Sequence, residues 1–447
     1  SNNTAVGYAS LGVNTTGTQG TAVGRNAGAA NTTGNYNTFI GDGSGDANTT
    51  GASNTAIGQD SLGANTTGAT NTALGRNALL ANTTASDNTA VGYNSLAANT
   101  TGANNAALGR EALLSNTTGA SNSAFGSTAL DANTTGSYNT ALGQASLGAN
   151  TTASNNTAVG YSALLANTTG DRNVAVGTSA LDANTTADGN TAVGYDSLSA
   201  NTTAEINTGL GFQALRLNTT GASNTSVGAN ALGSNTTASN NTAVGSSALY
   251  ANTTGTRNTA VGALAGDALT DADDNVAIGQ TALGSDTLGS KSVAVGRAAL
   301  ATQNFTSATD SYNTAVGFQA GEAVTTGTDN TLIGGLAGDA ATTASGITFV
   351  GKSAGSATTT GGDNTGLGKQ ALKSTTTGTA NTAVGKDALE ANTTASNNTA
   401  VGFKTLEANT TGAGNAAVGK TALTTNTTGT LNAALGQDAL GLNTTGS

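Results

Sequence analysis

Asn54-Thr-Ala-Ile-Gly58-Gln-Asp-Ser-Leu62-Gly-Ala-Asn65-Thr-Thr-Gly68-Ala-Thr70 is one turn of a pattern that fills the chain. Its first glycine has counterparts at Gly7, Gly24, Gly41 and Gly75 and onward every 17 residues to Gly296. After one step of 21 the series resumes at Gly317 and ends at Gly436, making 26 copies of N-T-A-V-G-x-x-A-L-x-A-N-T-T-G-x-x. Self-similarity at a fixed period is read before any local feature, because it decides the architecture.

The residue before that glycine is always large and apolar (Val6, Ile40, Leu74, Phe125, Val193, Leu435), and four residues after it most copies have leucine (Leu11, Leu62, Leu79, Leu147, Leu440). These two columns are the expected core. The apolar pieces are short, the first favours β-branched residues, and glycine or Asn-Thr-Thr fences each of them. A 17-residue helix is therefore excluded, and short strands joined by turns are favoured. The expected fold is all-β: a parallel β-solenoid of 17-residue coils, each stacked on the next in a single array over residues 1–447.

In such a stack each residue type lies over its own kind, about 4.8 Å away. The asparagine that opens Asn-Thr-Thr (Asn14, Asn65, Asn150, Asn252, Asn409) and the one that opens the strand motif (Asn3, Asn54, Asn71, Asn88) are expected to form amide ladders along the axis. The strand glycine suits a turn with positive φ. At about 4.8 Å per coil the array would be a rod roughly 120 Å long. One valine and one leucine per coil are a thin core against the entropy of ordering the coil. That favours three chains about a common axis, which would bury a second apolar column, over a lone solenoid.

Composition narrows the function. Aromatic residues are 3% and charged residues 9%, and Pro, Cys, Met, Trp and His are absent. The regular recurrence of Val, Leu and Ile separates this low complexity from disorder. Without cysteine there is no disulfide framework or thiolate metal site. Without His or Cys, and with no convergent carboxylate pair, acid–base and nucleophilic chemistry have little material, so no enzyme activity and no cofactor are expected. The glycines are periodic turn glycines with no phosphate-loop motif. A net charge of −11, thinly spread, argues against a nucleic-acid partner. No apolar run approaches a membrane span, and Ser1 to Gly7 read as repeat and not as a signal peptide. All seven Arg lie at or before Arg297 and all seven Lys at or after Lys291, so the two ends differ in surface chemistry. Both ends, Ser1 to Asn3 and Thr445 to Ser447, cut the repeat in mid-register, the expected mark of a piece of a longer array.

Asn275 to Gly279 (NVAIG), Ser292 to Gly296 (SVAVG) and Asn381 to Gly385 (NTAVG), each followed by x-x-A-L or x-x-A-G, resemble the head repeats of trimeric autotransporter adhesins of the YadA type. Similar arrays occur in phage-like tail-fibre proteins. The resemblance covers the whole chain and implies a left-handed parallel β-roll, three chains side by side, in a cell-surface adhesin or fibre. It brings no catalytic residues. The period departs from that family, whose head repeat is typically shorter, the Asn-Thr-Thr insertion lengthening each coil. An extracellular adhesive or structural fibre is the expected function. A viral tail-fibre shaft is the alternative, with an ice-binding solenoid a lesser one.

Candidate sites follow. Asn-Thr-Thr matches the N-glycosylation acceptor at Asn14, Asn31, Asn48 and Asn65, against a purely structural ladder. The paired threonines of Thr15 and Thr16 point to opposite faces if they lie in a strand, which weighs against an ice-binding face. The position after the strand glycine varies most (Tyr8, Arg25, Gln59, Arg76, Tyr93, Arg110, Tyr161, Tyr195, Phe212, Lys352, Phe403), and its tyrosines Tyr8, Tyr93, Tyr161 and Tyr195 are candidates to touch a host-surface glycan or matrix protein, against a tolerant solvent face. Asp267, Asp271, Asp273 and Asp274 form the only acidic cluster, read as loop decoration over cation binding. From Ala263 to about Thr377 the Asn-Thr-Thr asparagine is replaced (Leu269, Asp286, Gln303, Val324, Ala341, Thr358, Thr375), and the coil over 297–316 carries four extra residues, expected to loop out on one face. Glycine at the leucine position (Gly266, Gly321, Gly338, Gly355) implies closer backbone approach or a thinner core.

Overall fold

A strand of three residues can turn only its middle side chain inward if the flanking two face out, because successive side chains alternate. That rule organises the computed structural model, which describes residues 2–447; Ser1 lies outside them. Every coil contributes one three-residue strand, Thr55–Ile57 and Thr72–Leu74 being typical: thirteen in the unit of residues 1–222 and thirteen in the unit of residues 223–447. Within each unit neighbouring strands pair in parallel and in register, Thr55 over Thr72, Ala56 over Ala73 and Ile57 over Leu74. The fold is thus an all-β parallel solenoid of 17-residue coils, with no helix among the described residues.

The middle alanine, not the apolar residue before the glycine, faces the core. Ala22, Ala56, Ala73 and Ala90 are fully buried, whereas Val23 is 37% and Leu108 49% exposed. The expectation of a Val-type core column is therefore corrected: strand alternation puts that side chain outside together with the threonine. The leucine column is core as expected, Leu62, Leu79 and Leu96 being fully buried. Between the alanines and leucines lie the two asparagine columns, also buried.

Both ladders form. Asn48 Nδ2 donates to Asn31 Oδ1 at 2.8 Å, and Asn65 Nδ2 donates to Asn48 Oδ1 at 2.7 Å and to the Gly68 carbonyl at 3.0 Å. In the second ladder the backbone N–H of Asn54 donates to Asn37 Oδ1 at 2.9 Å, while Asn54 Nδ2 reaches the Gly68 carbonyl at 2.8 Å. Most buried amides are thereby paired in a core that holds little hydrocarbon, which limits the cost of unsatisfied polar groups; Asn88 Nδ2, Asn252 Oδ1 and Asn398 Nδ2 are left without a partner. The first Thr of Asn-Thr-Thr adds a third file, Thr66 Oγ1 donating to the Thr83 carbonyl at 3.0 Å.

The coil closes through left-handed residues. Asp60, Leu62 and Ser53 have φ of 54°, 53° and 57°, and the same positions repeat this in nearly every coil. Many occupants are Asn, Asp or Gly, which tolerate the region, and the leucines are held there by burial; β-branched side chains tolerate it poorly. Thr70, Thr128, Thr281 and Thr421 stand there nonetheless, as does the bulkier Ile206, at φ 59° and 66% exposed. Asn104 and Asn155 hold its position in other coils. Ile206→Asn should therefore stabilise its coil by about 1 kcal/mol, read as slower local hydrogen exchange; faster exchange would contradict the strain.

Glycine at the leucine position does not thin the core. An ideal Cβ on Gly28 would sit 2.7 Å from Phe39 Cδ2, and one on Gly321 2.6 Å from Leu332 Cδ1. Phe39, Leu332 and Phe349 replace the middle alanine where the leucine is lost, and at Gly266 the side chain of Leu269 approaches to 3.1 Å. Volume is conserved by exchange between columns, as a close-packed interior requires.

The four-residue insertion leaves the strand ladder intact, Val293 lying over Thr314. It adds a short parallel pair, Gly289–Ser290 with Thr309–Asp310, and tucks Phe305 in as a buried side chain. The asparagine ladder stops two coils earlier, at Leu269. Leu269 brings no donor, so Asn252 Oδ1 is buried without a partner. Asp286 then replaces asparagine and accepts from Gln303 Nε2 at 2.6 Å and from the N–H groups of Gly289 and Phe305 at 3.0 and 3.2 Å. An acceptor-only group fits because Leu269 below offers an amide nothing to donate to.

Candidate interaction surface

Two exposed files flank the strand glycine. The residue before it supplies an outward apolar side chain in every coil, stacked in register (Val159 over Val176, Val176 over Val193). Its exposure is the feature that reading hydrophobicity alone missed. The signal was present in the middle column, where Phe39, Leu332 and Phe349 appear only beside a glycine in the leucine column.

The residue after the glycine forms the second file. Tyr8, Tyr93, Tyr161 and Tyr195 are all exposed there but lie five, four and two coils apart in succession, so the four do not form one patch. The structure instead pairs immediate neighbours: Tyr195 stacks on Phe212 with ring centroids 5.5 Å apart, Arg76 lies over Tyr93 at 5.9 Å, and Arg297 lies over Phe318 at 5.5 Å. Arg25 and Asp42 form an ion pair at 2.9 Å across two coils of the same file.

The glycosylation candidates are interior. Asn31, Asn48 and Asn65 are buried, Asn14 half-buried, and the amide nitrogen each would offer to a glycan is spent on hydrogen bonds, that of Asn14 to the Gly17 carbonyl at 3.1 Å. A folded coil therefore gives no access to Asn48 or Asn65. The second Thr of each Asn-Thr-Thr is exposed while the first is tied to a carbonyl, so the pair does not present a doubled threonine face. The acidic cluster is distributed over ladder bonds: Thr254 Oγ1 donates to Asp271 at 2.6 Å, the Thr256 N–H to Asp273 at 2.6 Å and Arg257 Nε to Asp274 at 2.6 Å. No group of three or more acidic side chains is placed to share an ion among the described residues.

Five aspartates follow the leucine position directly: Asp46, Asp131, Asp182, Asp267 and Asp339. Partial burial pushes each carboxyl above its usual range. A raised folded value means the native state binds these protons more tightly than the unfolded chain, so their contribution is complete below the unfolded value and is lost as pH rises through the folded one. Asp42, Asp274 and Asp438 are shifted down by hydrogen bonds from Arg25, Arg257 and Thr421, but they lie in solvent, where screening weakens the effect. The thermal midpoint should therefore rise on acidification from neutrality toward about pH 4. A midpoint that falls steadily over that range, followed by circular dichroism, would refute the balance.

Comparison with known protein families and with curated proteins finds no match to this chain. Among the described residues no helix is long and apolar enough to cross a membrane.

Proposed function

We propose that the chain is a segment of an extracellular structural or adhesive fibre in which three copies associate along the apolar file before the strand glycine. The observation that carries this reading is that file: one large apolar side chain per coil, in register, on the outside of a coil whose own core is mostly alanine and asparagine. Contiguous exposed apolar surface of this kind marks an interface, and closing it would supply each coil with the second apolar layer that its interior lacks. A fixed repeat with no variation in coil length, save over 297–316, suits a spacer or display surface. The file after the glycine, with the Tyr195–Phe212 stack and the Arg76–Tyr93 pair, then serves as contact surface for a glycan or matrix protein.

The mass in solution tests association. Three chain masses are expected, and Val159→Thr, Val176→Thr and Val193→Thr together should shift the equilibrium toward single chains. A single-chain mass for the unaltered protein would overturn the reading. For the adhesive part, Tyr93→Ser, Tyr161→Ser and Tyr195→Ser should reduce binding to cell-surface material; unchanged binding removes the tyrosines from that role.

A further inference from the structure

We propose that Lys352, Lys369, Lys386 and Lys420 form a docking strip for a linear acidic polysaccharide carrying a sulfate or carboxylate on successive sugars. The four hold one position, directly after the strand glycines Gly351, Gly368, Gly385 and Gly419. The preceding residues stack in register, Val350 over Leu367, Leu367 over Val384, Val384 over Val401 and Val401 over Val418. The first three lysines therefore follow one another at about 4.8 Å per coil. All four are exposed.

At one earlier place this file neutralises itself, where Arg25 pairs with Asp42 of the next coil. Here three cations stand in sequence, an arrangement that stacked strands disfavour. Lys352, Lys369 and Lys420 have no ion-pair partner among the described residues, and Lys386 has only Asp387 at 3.3 Å. Of the acidic side chains nearby, Glu390 is engaged with Lys373 at 3.2 Å and Glu407 with Lys404 at 2.6 Å, while Asp438, held chiefly by Thr421 and Gln437, also feels the charge of Lys420. In the coil between Lys386 and Lys420 the position is Phe403, whose ring lies 5.4 Å from Lys386 Nζ and 5.8 Å from Lys404 Nζ. A partner bearing one anion per monomer along a line would relieve the repulsion lysine by lysine, and its apolar sugar face could rest on Phe403.

The same features disfavour nucleic acid. No arginine lies beyond Arg297, so the bidentate fork that suits phosphate is missing. One aromatic ring gives no run of stacking platforms for bases. A single file is also narrower than the paired phosphate rows of a duplex. The proposal rests on reading the file after the glycine as a contact surface and is independent of whether chains associate.

The test uses the full chain on immobilised dextran sulfate, with neutral dextran as control and single-stranded DNA and phosphatidylserine vesicles as separate arms. The chain should be retained by dextran sulfate at low salt and released as salt rises, and K352Q/K369Q/K386Q should weaken binding roughly tenfold or more. Circular dichroism and solution mass should not change, which separates loss of the strip from loss of the assembly. K352R/K369R/K386R and, in the other unit, R25Q/R76Q/R110Q should bind as the unaltered chain does. Unchanged binding by the glutamine variant, loss in the arginine variant, equal retention on neutral dextran, or tighter binding to DNA or vesicles would each overturn the proposal.

Discussion

Gly160→Ala should open the stack at one place and leave the remaining coils of its unit folded. Gly160 has φ +136°, a backbone region that side chains rarely enter, and an ideal Cβ there would stand 2.5 Å from the carbonyl oxygen of Gly177 and 2.6 Å from its carbon. The obstacle is backbone of the next coil, which cannot move without breaking the strand pairing on which both coils depend. Strain of this type costs about 1–3 kcal/mol, and the clash adds to it, for a total on the order of 4 kcal/mol. In a solenoid each coil contacts only its neighbours, so the loss stays local. Limited proteolysis should cut between residues 160 and 177 and release two resistant fragments. A variant as resistant as the parent would show that the glycine is not required.

Phe349→Ala should be the most damaging core truncation, and it should be repaired by a second change that is harmful alone. Phe349 is fully buried and fills the space over Gly355 and Gly366, its Cδ1 lying 3.0 Å from an ideal Cβ on the latter. Removing a buried phenylalanine costs about 3–5 kcal/mol. Gly355→Leu alone drives a side chain into the same ring. The pair Phe349→Ala with Gly355→Leu recreates the arrangement of Ala56 and Leu62, with glycine's φ of 58° at position 355 already close to the 53° at Leu62. A thermal-melt cycle should show each single change destabilising and the pair close to the parent, a coupling of contacting residues. Additive losses would mean that the two columns do not share one space.

The period, the parallel in-register stack, the leucine core and both asparagine ladders were legible because each is a property of repetition: what recurs every coil must lie over itself. The side on which a residue lies was less so. Val23 and its counterparts look like core on hydrophobicity, yet a strand of three has one inward place, and Ala22 takes it. Alanine reads as filler until Phe39 and Phe349 show that its column answers to the volume of the leucine column. The left-handed turn at Leu62 left no readable trace, since leucine has no preference for that region and is there for burial. For the surface, the variable file after the glycine was visible, but its chemistry is set by neighbours one coil apart, as with Tyr195 and Phe212, and not by the tyrosines as a set. The Asp286–Gln303 contact depended on a side chain reaching across an irregular coil, which spacing alone does not convey.

The asparagine file also has a direction. Asn65 hands its amide to Asn48, and Asn48 to Asn31, so within a run each coil gives to the one before it in the chain. A stack that is still being completed thus shows, on its C-terminal side, a side-chain oxygen waiting for a hydrogen. The next coil to leave the ribosome carries that hydrogen, while a coil approaching from the other side would not. The finished part of the chain is in this way a one-sided template for the part still to come, and synthesis from the N-terminus presents the coils in the order the template can use.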